Sequence, residues 1–324
     1  MAFKFGDINA IRLENEKISL LILPGHGCDI AEIIYKPHDL SFLWRTERGL
    51  NCLDQSSLAI SDPFNQTYHG GWFEAFPNVG LDCKYNGVDF QPYDEVKYLK
   101  WNYTILVDEP EKIVIQFSTH TLKAPFIIEK TITIVSGETG FIMKETIKNT
   151  GAYKHPYQWG HHPLLGAPFL SEKCQIDFDG ADIDTPFEFD NARVKQNTKG
   201  KWPTIEGKNG MVDIRNFPPP GSDINDLYWL SKLSSARVAV RNMELNIGIE
   251  FTWDKTMFNH CLFWINANGD KGYPHFGKAY TLCVMPSTSE VHTLDGEDKA
   301  GVARNLNPGE SISSWIRTTI IHED

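Results

Sequence analysis

Phe126-Ile127-Ile128-Glu129-Lys130-Thr131-Ile132-Thr133-Ile134 leads into Ser136-Gly137-Glu138-Thr139-Gly140 and returns as Phe141-Ile142-Met143-Lys144-Glu145-Thr146-Ile147-Lys148. Ile128, Lys130, Ile132 and Ile134 fall on one face, with Thr131 and Thr133 alternating between them. That is the two-residue period of a strand. The glycine-bearing segment between the halves predicts an antiparallel hairpin. The pattern recurs outward from here. Ile18 to Leu23 is a β-rich run that stops at Pro24-Gly25, and Ile113 to Phe117 is another. Arg237 to Val240 leads into Leu245 to Phe251 as a second hairpin pattern. Tyr280 to Val284 and Ser314 to Ile321 are late strands, separated by the turn signal Leu306-Asn307-Pro308-Gly309-Glu310.

Helical periodicity is scarce, and the 18 prolines would interrupt most helices. Short strands with Gly/Pro turns and no alternating helices predict a mainly β fold, a large antiparallel β-sandwich with few short helices. Phe217-Pro218-Pro219-Pro220-Gly221 reads as a loop, and strand-like sequence continues on both sides. Residues 1–324 are therefore expected to form a single domain.

The net charge of −11 repels phosphate backbones and anionic lipid surfaces, so neither nucleic acid nor membrane is an expected partner. The apolar run Ile18 to Pro24 is too short to span a bilayer. The six cysteines are scattered with no C-x-x-C pair, which argues against zinc-ribbon and thioredoxin chemistry. Free buried thiols, no signal peptide in Met1-Ala2-Phe3-Lys4-Phe5 and a cytoplasmic location are the expectation. Aromatic residues make up 12% of the chain, which suits strands and also suits stacking on the apolar faces of a sugar.

Gly25-His26-Gly27 follows a strand but lacks the later glycine and helix of a dinucleotide site. No G-x-S-x-G elbow occurs, which weakens a serine-hydrolase reading. The most distinctive stretch is Tyr157-Gln158-Trp159-Gly160-His161-His162-Pro163. Adjacent histidines on extended backbone point to opposite faces, so a metal site is not expected from this pair. One of them in a cleft would be a proton-transfer group near neutral pH.

Several segments together resemble the galactose mutarotase-like (aldose 1-epimerase) family, and the match spans nearly the whole chain in scattered pieces. Leu23-Pro24-Gly25-His26-Gly27-Cys28-Asp29-Ile30 followed by Phe42-Leu43-Trp44 is similar to its first hairpin. Gly70-Gly71-Trp72-Phe73-Glu74-Ala75-Phe76-Pro77-Asn78 is similar to a cleft-lining segment. Lys144 to Gly151 leads into Trp159-Gly160-His161-His162-Pro163, where the family has its acid histidine. Gly272-Tyr273-Pro274-His275-Phe276-Gly277 and Met285-Pro286-Ser287-Thr288-Ser289 resemble segments flanking the family's catalytic glutamate, and Leu306 to Ile320 its closing hairpin.

The resemblance implies a galactose mutarotase-like supersandwich that binds a small-molecule sugar, needs no cofactor and interconverts the α and β anomers of a free aldose. A carboxylate takes the O1 proton, a histidine protonates the ring oxygen, and the opened chain recloses. His162, before Pro163, fits the acid. The base position reads Met285-Pro286, where methionine takes no proton. Tyr93 stands where the family has a second histidine. The sugar-binding aspartate falls on Asp226, with Asn225 next to it.

Glu74 or Glu95 is expected to replace the missing base, with Glu74 paired to His162 as the catalytic set. Trp72, Asn78, Tyr93, Glu95, His161, Asp226, Trp264 and Met285 are expected to contact substrate. The loss of the usual base makes a non-catalytic sugar-binding protein the alternative. A glycosidase or lyase is a further class, needing two carboxylates about 5–9.5 Å apart, such as Glu74 with Glu95 or Asp226. Arg45 and Arg48 would be candidates for a phosphosugar's phosphate.

Overall fold

The computed structural model describes residues 1–5, 8–53, 62–289 and 291–322. The opening hairpin forms as its alternation predicts. Phe126–Val135 and Gly140–Asn149 pair antiparallel, with Ile128 opposite Ile147 and Ile134 opposite Phe141. Phe126, Ile128, Lys130, Ile132 and Ile134 are buried on one face, as are Phe141, Met143, Glu145 and Ile147 on the partner strand. Among the described residues this hairpin lies in an 8-stranded sheet. Ser311–His322 pairs with Gly140–Asn149 on one side and with Ile247–Trp253 on the other. Arg237–Asn242 and Ile247–Trp253 make the second expected hairpin, with Val240 opposite Ile249.

A second, 14-stranded sheet packs across the first. Its centre runs Asp29–Tyr35, Trp72–Ala75, Gly160–Gly166, Tyr280–Ser287, His260–Ala267 and Ile224–Ser231, each neighbour antiparallel. The indole of Trp72 meets Phe141 and Phe251 of the smaller sheet edge-on or tilted, with ring centroids 6.0 and 5.6 Å apart. The result is a mainly β sandwich with two short α-helices among the described residues, Pro63–Gln66 and Leu294–Ala300. All six cysteines are free, and five are buried. None of the described helices is long and apolar enough to cross a membrane.

The large sheet is apolar on both faces. Its inner face presents Trp72, Tyr228, Leu230, Phe263, Ile265, Leu282 and Val284 to the main core. Its outer face carries a separate apolar cluster that includes Phe73, Ala75, Leu164, Trp229, Leu262, Cys283 and Met285. Successive residues of one strand thus serve opposite sides, as the pleat requires. The outer cluster is the floor of a cleft.

Candidate active site

The two histidines of Gly160–Gly166 separate as the extended backbone demands. His161 faces the core, with Nε2 2.9 Å from Glu145 Oε2 and its ring edge-on to Trp72 and Phe258. His162 faces the cleft. Its ring stacks on Phe73 at 4.3 Å and 14°, and Tyr93 meets it edge-on at 5.3 Å. Burial holds the His162 imidazole down to about 3, and the ammonium of Lys97 pushes the same way. At neutral pH it is therefore a neutral ring, with its Nδ1 buried and unpartnered.

Among the described residues the cleft has two chambers. The inner one, about 210 Å³, is walled by Phe64, Tyr68, Tyr93, His162, Asn225, Trp264, Asp270 and His275. Asn225 and Trp264 reach it from neighbouring strands, and Trp264 Nε1 donates to Asn225 Oδ1 at 2.8 Å. Asp270, Tyr273 and His275 come from the loop that joins His260–Ala267 to Tyr280–Ser287. His275 Nε2 lies 3.8 Å from Asp270 Oδ2. Burial lowers the His275 pKa while Asp270 opposes that shift, and Nδ1 of the ring is buried without a partner. The outer chamber, about 500 Å³, continues from this one over Trp229, Leu262 and Met285 to His292.

Of the residues singled out in the sequence, His162, Tyr93, Asn225 and Trp264 line the inner chamber and Met285 the floor of the outer one. The others lie elsewhere. Glu74 sits on the core face of Trp72–Ala75, where Trp159 Nε1 donates to it at 2.6 Å and Lys130 Nζ lies at 2.7 Å. Trp72 and His161 share that face. Glu95 is turned away from the cleft and accepts the backbone N–H groups of Leu122 and Lys123 at 2.7 and 3.0 Å.

Asn78 donates to the carbonyls of Leu81 and Gln91 and accepts from Leu294 N–H, tying a loop to a helix. Asp226 points to the core side with Tyr228. It accepts from that hydroxyl at 2.8 Å and from Arg193 N and Nε at 2.7 and 2.5 Å. The carboxylate pairs expected for glycoside hydrolysis are thus each committed to structural partners outside the cleft. Arg45 pairs with Glu32, and Arg48 donates to the Asn65 carbonyl at 2.7 Å.

Asp270, His275, Trp229 and His292 line the cleft but carry no signal that sequence reading used. Gly272 to Gly277 stood out only as a stretch of family resemblance. Trp229 was within reach: once Asn225 is placed on the outer face, Leu227 and Trp229 follow at two-residue steps.

Among the described residues, two buried groups have ligand atoms close enough to hold a metal, His26/Asp29/His69 and Glu74/Glu145/His161. Each already has a cation in its midst. Lys97 Nζ is 3.8 Å from Asp29, and Lys130 Nζ is 2.7 and 3.4 Å from Glu74 and Glu145. A divalent ion would have to displace an ammonium, so these are ion-pair networks rather than metal centres.

A family model described as a domain of unknown function, DUF4432, matches residues 116–320. No curated protein matches the sequence. Among solved structures, a Klebsiella pneumoniae protein provisionally assigned as an aldose 1-epimerase superposes with a TM-score of 0.77 at 15% identity, over 98% of this chain and 80% of that one. The Slr1438 protein of Synechocystis gives 0.70 at 15% identity, with 99% of each chain covered. A galactose mutarotase-like protein of Clostridium acetobutylicum gives 0.68 at 14% identity, over 100% and 98%. The chain belongs to the DUF4432 family, and its fold is that of the galactose mutarotase-like proteins.

Proposed function

We infer that the chain is a carbohydrate-binding protein of the aldose 1-epimerase type, opening and reclosing the ring of a free aldose in the outer cleft. The observation that carries this is the convergence of His162, Asn225, Trp264, Asp270 and His275 on one open chamber. Trp264 offers an aromatic face for the apolar side of a sugar ring. With its oxygen accepting from Trp264 Nε1, the Asn225 amide has its N–H groups to give to a hydroxyl.

Mutarotation needs one group to take the O1 proton and another to protonate the ring oxygen. The family resemblance gives the acid role to His162. Burial keeps the His162 ring neutral in the free protein, so it offers an unprotonated nitrogen to the O1 hydroxyl rather than a proton to the ring oxygen. Burial lowers the His275 pKa, and the Asp270 carboxylate beside it opposes that shift. In this reading the O1 proton passes to His162 while the small protonated fraction of His275, sustained by Asp270 against burial, protonates the ring oxygen. The C1–C2 bond then turns, and both protons return on closure. Met285 takes no part in proton transfer.

Polarimetry of freshly dissolved α-aldoses tests it. The protein should speed the decay of rotation above buffer, and His162→Ala and His275→Ala should each cut the enzymatic rate by about 10²–10⁴. A panel of aldoses showing no acceleration would sink the catalytic reading. Met285 on the cleft floor and Glu74 in the core favour a second reading, sugar binding without turnover. Saturable binding by calorimetry with unaltered anomerisation would select it.

A further inference from the structure

The two chambers of the cleft differ in chemistry. The inner one carries the histidines, the amide and the carboxylate that a sugar would use. The outer one is more than twice as large, about 500 against 210 Å³, and is contiguous with it through Phe64, Tyr93, Phe189 and Leu227. Its floor is Val79, Leu227, Trp229, Leu262 and Met285. His292 meets Trp229 edge-on at 5.0 Å, and Phe187 packs on His292 at 4.6 Å, which adds an aromatic wall.

Three polar side chains at its edge, Glu188, Gln196 and Ser289, are already committed. The Glu188 carboxylate pairs with Lys208 and accepts Gln196 N–H, and the Gln196 amide donates to the Pro186 carbonyl. The Ser289 hydroxyl accepts from Gln158 and donates to the Val291 carbonyl. A second sugar ring would bring hydroxyls that lose water and find few partners here. An apolar group would gain from burial on the same surface. Met285 belongs to this surface. At the position where the family resemblance expects a carboxylate, the chain has a flexible thioether that packs on apolar groups.

We propose that the outer chamber is a subsite for an aryl or alkyl group carried by the sugar. The ligand is then an aldose bearing an apolar ether or ester on a hydroxyl other than the anomeric one. This rests on the sugar-binding reading of the inner chamber. It adds a ligand class that neither the fold nor the family model specifies.

Calorimetry on the full chain tests it, with D-galactose, D-glucose and the mono-O-benzyl ethers of each that keep the anomeric hydroxyl free. At least one ether should bind about tenfold or more tighter than its parent sugar. That gain should disappear in Trp229→Ala and in Met285→Gln, each first shown to be folded by its melting transition. Ethers that bind no tighter than parent sugars that do bind would overturn this proposal alone. So would a gain that survives both substitutions. If neither parents nor ethers bind, the sugar-binding reading falls and this proposal with it. Failure of polarimetry alone removes catalysis and leaves the binding ratio as the deciding result.

Discussion

Lys130 and Glu145 stand directly opposite each other in the central hairpin, both on its buried face. From the facing sheet Glu74 lies 2.7 Å from Lys130, and His161 2.9 Å from Glu145. Burial raises the Glu74 pKa, and neighbouring Glu145 adds to the rise. Burial also works against the charge on Glu145, but His161 and Lys130 outweigh it and hold that carboxyl below its ordinary value. Lys130 is the cation both acids share. Lys130→Met should cost about 3–5 kcal/mol in urea unfolding, because it leaves the buried Glu74 carboxyl without its cation and Glu145 with His161 alone.

Glu74→Gln keeps an acceptor for Trp159 and should cost about 1–3 kcal/mol while leaving sugar binding per folded molecule unchanged. Loss of turnover in a Glu74→Gln protein of native stability would return Glu74 to the catalytic set. On the cleft side, Lys97 Nζ lies 4.2 Å from the centre of the Phe73 ring whose face stacks on His162. Lys97→Met removes a cation that disfavours imidazolium, so the His162 pKa should rise, read from its ring proton shifts by NMR. An unchanged or lower value would show that burial alone sets it.

The strands explain which candidates reached the cleft. Asn225 and Asp226 are neighbours on Ile224–Ser231, as are Phe73 and Glu74 on Trp72–Ala75, and in each pair the carboxylate lies inside. A one-residue error in a strand moves a side chain to the other face of the sheet. Alternation shows inside from outside only when one face is polar. Here Trp72 and Phe73 are both buried, as are Cys283 and Val284, because the cleft floor is as apolar as the core. The fold was legible in the hairpin, since the outward face of the smaller sheet is polar enough to leave a clear period. The split of His161 and His162 was legible too, but which of them met the cleft came only from the family resemblance. Asn225→Ala should weaken sugar binding about tenfold with little change in melting temperature. Asp226→Asn disturbs Arg193 and Tyr228 and should lower stability by about 1.5–3 kcal/mol with little effect on affinity. The reverse pattern would mean that Asp226 is the sugar ligand after all.

For the molecule as a whole, the buried histidines make stability depend on pH. Burial holds His26 and His162 down to about 3, and it lowers His69, His155, His275 and His292 as well. Below their ordinary value, near 6.5, the unfolded chain binds protons that the native protein refuses. Stability should therefore fall as pH drops through about 6.5 and keep falling toward about 3, by up to about 1.4 kcal/mol per pH unit for each such histidine. Glu74 and Glu95, whose pKa values burial raises, bind protons in the native state first and so offset part of the loss. Asp29 and Glu145 add to the loss only below the ordinary carboxylate range, since both are held low in the fold. In the window from pH 7.5 to about 5 the histidine contribution opposes that of Glu74 and Glu95, and the six histidines set the sign. Urea midpoints measured across it should decline with an unchanged m-value, and His162→Phe should shallow the decline by close to one proton. A flat profile, with His162 titrating near its ordinary value by NMR, would mean that the ring meets solvent freely and that its assignment as a neutral acceptor is wrong.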